Sequence, residues 1–241
     1  MTPGFREDIV GLRFRGTSLT IFITLEGPEG TGKSTQAKLL ARRLRRQGYD
    51  VVQTREPGGT RIGRRIREVL LAPGHRAMCP ETELGLYFSD RAQHLREVVW
   101  PALASGKIVV SDRFTDSTRA YQGYGRGLSL ALIRNLDRIM TGAFSPNVTV
   151  LLDLTAEAGL SRARRRNQKS EAFRKEGRFE IESLKFHERV RRGYLKLARR
   201  EPKRFLLVPV AGSPVKVHEA IWEKLVAARV LPRRKRRARR R

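Results

Sequence analysis

Residues 27–34, Gly27, Pro28, Glu29, Gly30, Thr31, Gly32, Lys33 and Ser34, satisfy G-x-x-x-x-G-K-[ST] at every fixed position. Glycines in such a loop let the backbone turn tightly and aim several N–H groups at one point, and a following helix adds the positive end of its dipole. Lys33 then reaches the outer phosphates of a nucleotide as a point charge, and the Ser34 hydroxyl is placed to ligate Mg²⁺. The phosphate-contacting stretch extends to Thr35. A chance Gly-rich turn would lack the flanks found here. Residues 21–25 (IFITL) form a short β-branched and aromatic run, as in a buried strand, while Ala37, Leu40, Ala41 and Leu44 recur at helical spacing among Lys and Arg.

The elements that must position this loop repeat along the chain. Gly48 marks the end of the first helix, and residues 49–53 start a second strand that runs into a Gly/Pro loop at 54–60. Open α/β sheets bind ligands at that carboxyl edge. Ile62, Ile66, Val69 and Leu70 mark a short helix ending before Pro73, and a longer one from about Glu81 carries Leu84, Tyr87, Phe88, Ala92, Leu95 and Val99. Residues 107–112 read as a buried strand, 128–140 as an amphipathic helix capped by Ser129, and 148–153 as a strand followed by a Thr155 cap. A helix around 181–197, a strand at 205–210 and a helix at 215–226 complete the series. Five strands alternating with helices predict an α/β fold: a five-stranded parallel sheet, doubly wound, with helices on both faces.

Composition limits the partners. The 241 residues suit one domain at 19–231, preceded by a loose extension at 1–18 and followed by a basic tail at 232–241. No apolar run approaches a membrane span and the first residues lack an apolar signal-peptide centre, so the expected setting is cytoplasmic with no membrane partner. A single cysteine, Cys79, excludes an intramolecular disulfide and is expected to be at least partly buried. The net charge of +27 would suit nucleic acid, but eight of those charges lie in the tail and the remaining +19 is spread through helices. This reads as a solvated surface, with nonspecific polyanion binding by the tail.

A phosphate loop alone does not separate a kinase from a GTPase, a translocase or a helicase. Three further stretches decide: Arg55-Glu56-Pro57-Gly58-Gly59-Thr60, Ser89-Asp90-Arg91-Ala92-Gln93-His94, and residues 112–123 (DRFTDSTRAYQG). In this order and spacing the chain from about Thr20 to Leu225 resembles the bacterial thymidylate kinases. The resemblance implies a P-loop NTPase-type fold, transfer of the γ-phosphoryl of ATP to dTMP with Mg²⁺, and a homodimer. It also implies that Arg67 and Arg113 grip the acceptor phosphate, that Arg91 holds the nucleotide on its base side, and that Thr118 and Gln122 hydrogen-bond the base. Glu29 is assigned by it to the acceptor sugar and, directly or through water, to the metal. Glu56 and Asp112 are further carboxylates at strand ends, Glu56 on the dTMP side and Asp112 either holding the metal's water shell or pairing with Arg113.

The physical reading agrees, because phosphoryl transfer demands neutralisation of crowded phosphates, and guanidinium forks match phosphate geometry. Thymine calls for a stacking ring. Either Tyr87 or Phe88 fits, and since neighbours on a helix point about 100° apart only one can face the base. No general base is needed, a phosphate oxygen being a competent nucleophile. None of the four histidines reads as a ligand or base, and His94 and His187 are expected on helix surfaces.

The catalytic arginine of the family comes from the phosphate loop or from a lid. Gly30 holds the relevant loop position, so the lid must supply it. Residues 162–178 are densely basic and poor in apolar side chains, and are expected to form an exposed, mobile, basic lid. Arg162, Arg166 and Arg178 fit the pattern best, with Arg164, Arg165 and Arg174 as rivals. Two departures from the family pattern stand out: Gly177 where Asp is common, implying a missing or relocated acidic contact, and no Asp around 210–212 beside the donor base. The alternatives are a kinase for another nucleoside monophosphate and a basic nucleic-acid-dependent P-loop ATPase.

Overall fold

The computed structural model describes residues 20–169, 171 and 175–231. The extension at 1–18, the tail at 232–241 and Arg174 lie outside the described residues. Strand β1 (Phe22–Glu26) leads through the phosphate loop into α1 (Lys33–Arg46). The chain continues through β2 (Val51–Arg55), α2 (Arg61–Leu71), α3 (Pro80–His94) and α4 (Trp100–Ala104), the last two joined by a π turn at Leu95–Val99. Then come β3 (Ile108–Asp112), α5 (Thr115–Thr118), a π turn at Arg119–Gly125, α6 (Leu130–Thr141), β4 (Val148–Asp153), α7 (Ala156–Lys169), α8 (Leu184–Arg200), β5 (Phe205–Pro209) and α9 (Pro214–Ala227).

All strand pairs are parallel, in the order β2-β3-β1-β4-β5. The strand that feeds the phosphate loop is therefore central, and β3 and β4 flank it. The crossover from β1 runs to β2 on one side of the sheet and that from β3 runs to β4 on the other, which opens a crevice between the carboxyl ends of β1 and β3. Period-two alternation sends Ile23 and Leu25 to one face, with Leu40, Leu44, Ile221 and Leu225 of α1 and α9. Phe22 and Val109 face the other side and pack with Leu95, Val99, Leu103 and Phe114. A second cluster on that side joins Tyr121, Phe186, Val190 and Tyr194. The central strands β1, β3 and β4 are thus buried on both faces, which explains their near-continuous apolar runs, while the edge strands β2 and β5 are only partly buried.

The expected doubly wound sheet is present, and the helix caps expected at Ser129 and Thr155 accept from Leu132 N and Ala158 N. Three expectations are corrected. Residues 162–169, read as weakly periodic, continue α7 as regular helix, because Ala, Arg and Lys all have high helix propensity and Ala163 supplies a buried contact. Cys79 is exposed, since it precedes Pro80 at the start of α3 rather than lying on the helix's buried side. His94 and His187 are buried, held by Glu56 and Thr54 and by the Phe179 carbonyl respectively. No helix among the described residues is long and apolar enough to cross a membrane.

Candidate active site

The phosphate loop is shaped by two close approaches. Gly30 has φ +69° and an added Cβ would lie 2.1 Å from the Gly159 carbonyl oxygen of α7; conversely, a Cβ on Gly159 would lie 2.4 Å from the Glu29 carbonyl oxygen. Backbone packs on backbone here, so a side chain at position 30 is excluded and the loop is seated against α7. Lys33 Nζ donates to the Pro28 carbonyl at 2.7 Å and to Thr31 Oγ1 at 3.3 Å. Burial, reinforced by the nearby Arg113 charge, brings the Lys33 ammonium down to about 8 despite Glu29, Asp112 and Glu26. Ser34 Oγ, at the start of α1, donates to Asp112 Oδ2 at the end of β3.

Arg113 directly follows β3 and occupies the left-handed region at φ +74°, a costly conformation for a residue with a Cβ. The turn aims its guanidinium back over β1. There Nη2 donates to Glu29 Oε1 at 2.8 Å and Tyr121 OH at 3.1 Å, and Nη1 to the Gly27 carbonyl, Ser117 Oγ and Tyr194 OH. Tyr121 OH also donates to Glu29 Oε1 at 2.8 Å. Burial opposes ionisation of Glu29, but Arg113, Lys33 and the Tyr121 hydroxyl hold its carboxyl well below the usual range. Among the described residues no group of three acids, histidines or cysteines forms a metal cage.

Below this network lies Glu26, fully buried, accepting from Phe114 N at 2.7 Å, Ser117 Oγ at 2.6 Å and Tyr194 OH at 2.8 Å. Burial, then Asp116, raises its carboxyl to about 7. A folded-state value above the unfolded 4.5 means that the native state holds the proton more tightly, so stability falls as pH rises from about 4.5 to 7. Glu26→Gln should therefore gain about 3 kcal/mol relative to the unsubstituted chain between pH 5 and pH 8, as read by urea denaturation. A difference that does not change with pH would show that Glu26 is already ionised at pH 5.

Further cleft wall is built from α2, α3 and the π turn after α5. Arg91 is buried: its Nε donates to Glu56 Oε2 at 2.8 Å and Nη2 to Thr118 Oγ1 at 2.9 Å, while Nη1 has no protein partner. His94 grips the other Glu56 oxygen. Glu56 and Thr118, expected at the nucleotide and the base, thus hold Arg91 in place, and Thr118 lies outside the cleft lining. Gln122 lines the cleft, with Nε2 donating to Glu83 Oε1 at 2.6 Å. Glu83 also receives Arg126 and Arg178. Arg67 donates through Nε and Nη2 to the two oxygens of Glu176, at 2.9 and 2.7 Å, and through Nη1 to the Pro57 carbonyl.

The choice between the two rings is resolved by α3's rotation. Tyr87 lines the cleft, whereas Phe88 packs with Leu84 and Ile133 in the core. Phe88 as the stacking ring is therefore corrected. Phe88→Ala should cost about 3–5 kcal/mol of stability with the cavity it leaves. Tyr87→Ala, whose ring is only partly buried against the Tyr121 and Phe186 cluster, should lower the melting temperature less than Phe88→Ala and raise the acceptor KM more; the reverse ranking in differential scanning fluorimetry and kinetics would contradict the placement.

Of the expected lid arginines, Arg162 and Arg166 of α7 line the cleft, and Arg166 Nη2 donates to Glu180 Oε1 at 2.8 Å. Burial and then Glu29 raise the Glu180 carboxyl to about 7. Arg178 is corrected: it is buried, bonded to the Leu70 carbonyl and to Glu83 Oε2, and absent from the cleft wall. Its guanidinium ties the segment just before α8 to α2 and α3. Tyr121, Arg55, Glu176 and Glu180 line the cleft, and Glu83 holds Gln122 beside it; none of them was assigned a role in the sequence analysis, although Arg55 and Tyr121 lay inside recognised stretches.

One cleft of about 710 Å³ brings these groups together, its wall including Lys33, Ser34, Arg67, Arg91, Arg113 and Gln122. The match to the family model of thymidylate kinase covers residues 25–221, which holds the whole cleft. The chain belongs to the thymidylate kinase family. It is 52% identical over 197 residues to the thymidylate kinase of Desulfosudis oleivorans, covering 82% of this chain and 92% of that one. To the thymidylate kinase of Pseudomonas fluorescens it is 53% identical over 201 residues, covering 83% and 92%. The crystal structure of thymidylate kinase from Ehrlichia chaffeensis superposes with a TM-score of 0.68 at 31% identity, covering 86% of this chain and 98% of that one. Family membership thus coincides with a cleft whose wall holds Lys33 and Arg113 together at the phosphate loop, with Arg67 and Arg91 lining the same space.

Proposed function

We infer that the chain transfers the γ-phosphoryl group of ATP to dTMP, giving ADP and dTDP. The observation that carries this is the single cleft joining the phosphate loop to three acceptor-side arginines and a buried glutamine. In this reading the loop from Gly27 to Thr35 holds the ATP phosphates. Arg67 and Arg113 receive the acceptor phosphate, and Arg91, fixed by Glu56 and Thr118, holds the nucleotide on its base side. Tyr87 stacks on the pyrimidine and Gln122, oriented by Glu83, reads its edge; Glu29, fixed by Arg113 and Tyr121, meets the sugar hydroxyl. An oxygen of the dTMP phosphate attacks the γ-phosphorus as the bond to the ADP oxygen breaks, so the chain supplies position and positive charge rather than covalent chemistry.

Ser34 and Asp112 suit Mg²⁺: one hydroxyl and one carboxylate, already in contact, are what a cation that keeps waters and phosphate oxygens takes from protein. When bound, the ion would neutralise charge on the ATP phosphates. Glu29, engaged by Arg113, is left to the acceptor. A homodimer is proposed from the resemblance, with the exposed apolar Ile62 and Val69 of α2 as side chains that a second copy would cover. A cytoplasmic setting suits an enzyme that consumes ATP, and the tail at 232–241 is proposed to bind polyanions without specificity.

An acceptor panel of dTMP, dUMP, AMP, GMP and CMP with ATP and Mg²⁺ tests the assignment. Turnover of dTMP well above the others is expected. Preference for another monophosphate, or DNA-stimulated ATP hydrolysis without transfer to a nucleotide, would overturn it.

A further inference from the structure

We propose that Glu176 is a place-holder for the acceptor phosphate, occupying the fork of Arg67 until a phosphorylated acceptor displaces it. The inference rests on the reading above that Arg67 receives that phosphate. The two groups meet as a fork on a carboxylate, with parallel bonds of 2.9 and 2.7 Å, the same bidentate match that a guanidinium makes with a phosphate. Both residues line the cleft. Glu176 therefore sits where an incoming anion would otherwise bind.

Arg67 is not free to swing aside. Its Nη1 is bonded to the Pro57 carbonyl at 3.0 Å, and its stem packs so closely on Gly58 that an added Cβ there would lie 2.8 Å from Cδ. Glu176 is the movable partner. It lies in a turn just before Gly177, and its side chain is 33% exposed against 19% for Arg67. Burial works against its charge, but the bonds and charge of Arg67, with Arg55 and Arg166 behind it, keep its carboxyl below the usual value. The carboxylate thus arrives at the fork ionised, and a phosphate dianion cannot share that fork with it without strong repulsion.

The consequence is discrimination by phosphate. A monophosphate carries more charge than Glu176 and can replace it; a nucleoside cannot. Glu176 is a positioning residue: it keeps Arg67 aligned in the empty site and taxes acceptor affinity in return.

The test compares Glu176→Gln, which keeps the shape and removes the charge, with Glu176→Ala. Steady-state kinetics would give kcat and the dTMP KM, calorimetry the dTMP Kd without ATP, and inhibition the Ki of thymidine. Removing a partly exposed pair's competition should lower the dTMP KM and Kd about 3- to 10-fold in both variants. The thymidine Ki and kcat should stay within about threefold, and in an Arg67→Ala background Glu176→Gln should have no further effect. A merely structural Glu176 would shift dTMP and thymidine together. An unchanged or higher dTMP Kd in both variants, with Arg67→Ala still weakening dTMP, would overturn the place-holder alone. If Arg67→Ala leaves dTMP affinity intact, the underlying reading of Arg67 fails and this proposal with it.

Discussion

Lys33→Met is expected to lower kcat by about 10²- to 10³-fold, the usual loss when one donor to a developing phosphoryl charge is removed. The melting temperature should not fall. Lys33 is buried beside Arg113, and its ammonium is depressed to about 8, so its charge is held at a cost. Methionine preserves the stem and removes that cost. The penalty is present below about pH 8 and is released as pH rises toward the ordinary lysine value, so the variant's stability advantage should shrink over that window. Activity of the unsubstituted chain should show the counterpart: the ATP KM rises above about pH 8, where the empty site begins to lose the proton that the phosphates need. Retention of kcat within about fivefold in Lys33→Met would remove Lys33 from the transferred group.

The buried ends of the cleft were the legible part. A phosphate loop is a local object: its glycines are required by backbone approaches such as Gly30 to Gly159, and its strand and helix are adjacent in sequence. The same holds for Asp112-Arg113, which closes β3, and for Tyr87 or Phe88, where periodicity narrowed the choice to two. Which of these two faces the cleft depends on how α3 is rotated against Ile133 of α6, a contact that no local pattern contains. Partner choice was the illegible part. Glu83 looks like an ordinary acid in the first turn of α3, yet it collects Gln122, Arg126 and Arg178 from 39, 43 and 95 residues away. Thr118 lies in a recognised stretch, and only the fold shows that its hydroxyl accepts from Arg91. Composition misled at 162–169 because a basic, apolar-poor run resembles a loop even when most of its residues, here Ala, Arg, Gln and Lys, favour helix.

The family's alternative of a loop arginine is closed here by backbone contact, which turns attention to α7. Gly159 seats the helix on the phosphate loop, and Arg162 and Arg166, three and seven residues later, share that face at one and two turns' distance. Both line the cleft. Arg166 is paired with Glu180, whereas Arg162 lies nearer the seat and is exposed to the space over the loop. Arg162→Ala is therefore expected to lower kcat by about 10³-fold, toward the lower end of what an arginine finger contributes, with the dTMP KM changed by less than about threefold. Arg166→Ala should lower kcat less, because part of its guanidinium serves Glu180. Arg178→Ala should behave differently: it strands the buried Glu83 with one cation fewer and should cost about 3 kcal/mol or more of stability, seen as a fall in melting temperature before any loss per folded molecule. Single-turnover kinetics with the folded fraction measured alongside separates the three. Unchanged kcat in both Arg162→Ala and Arg166→Ala would move the transition-state charge off α7, and a kcat loss in fully folded Arg178→Ala would return it to the position the cleft wall omits.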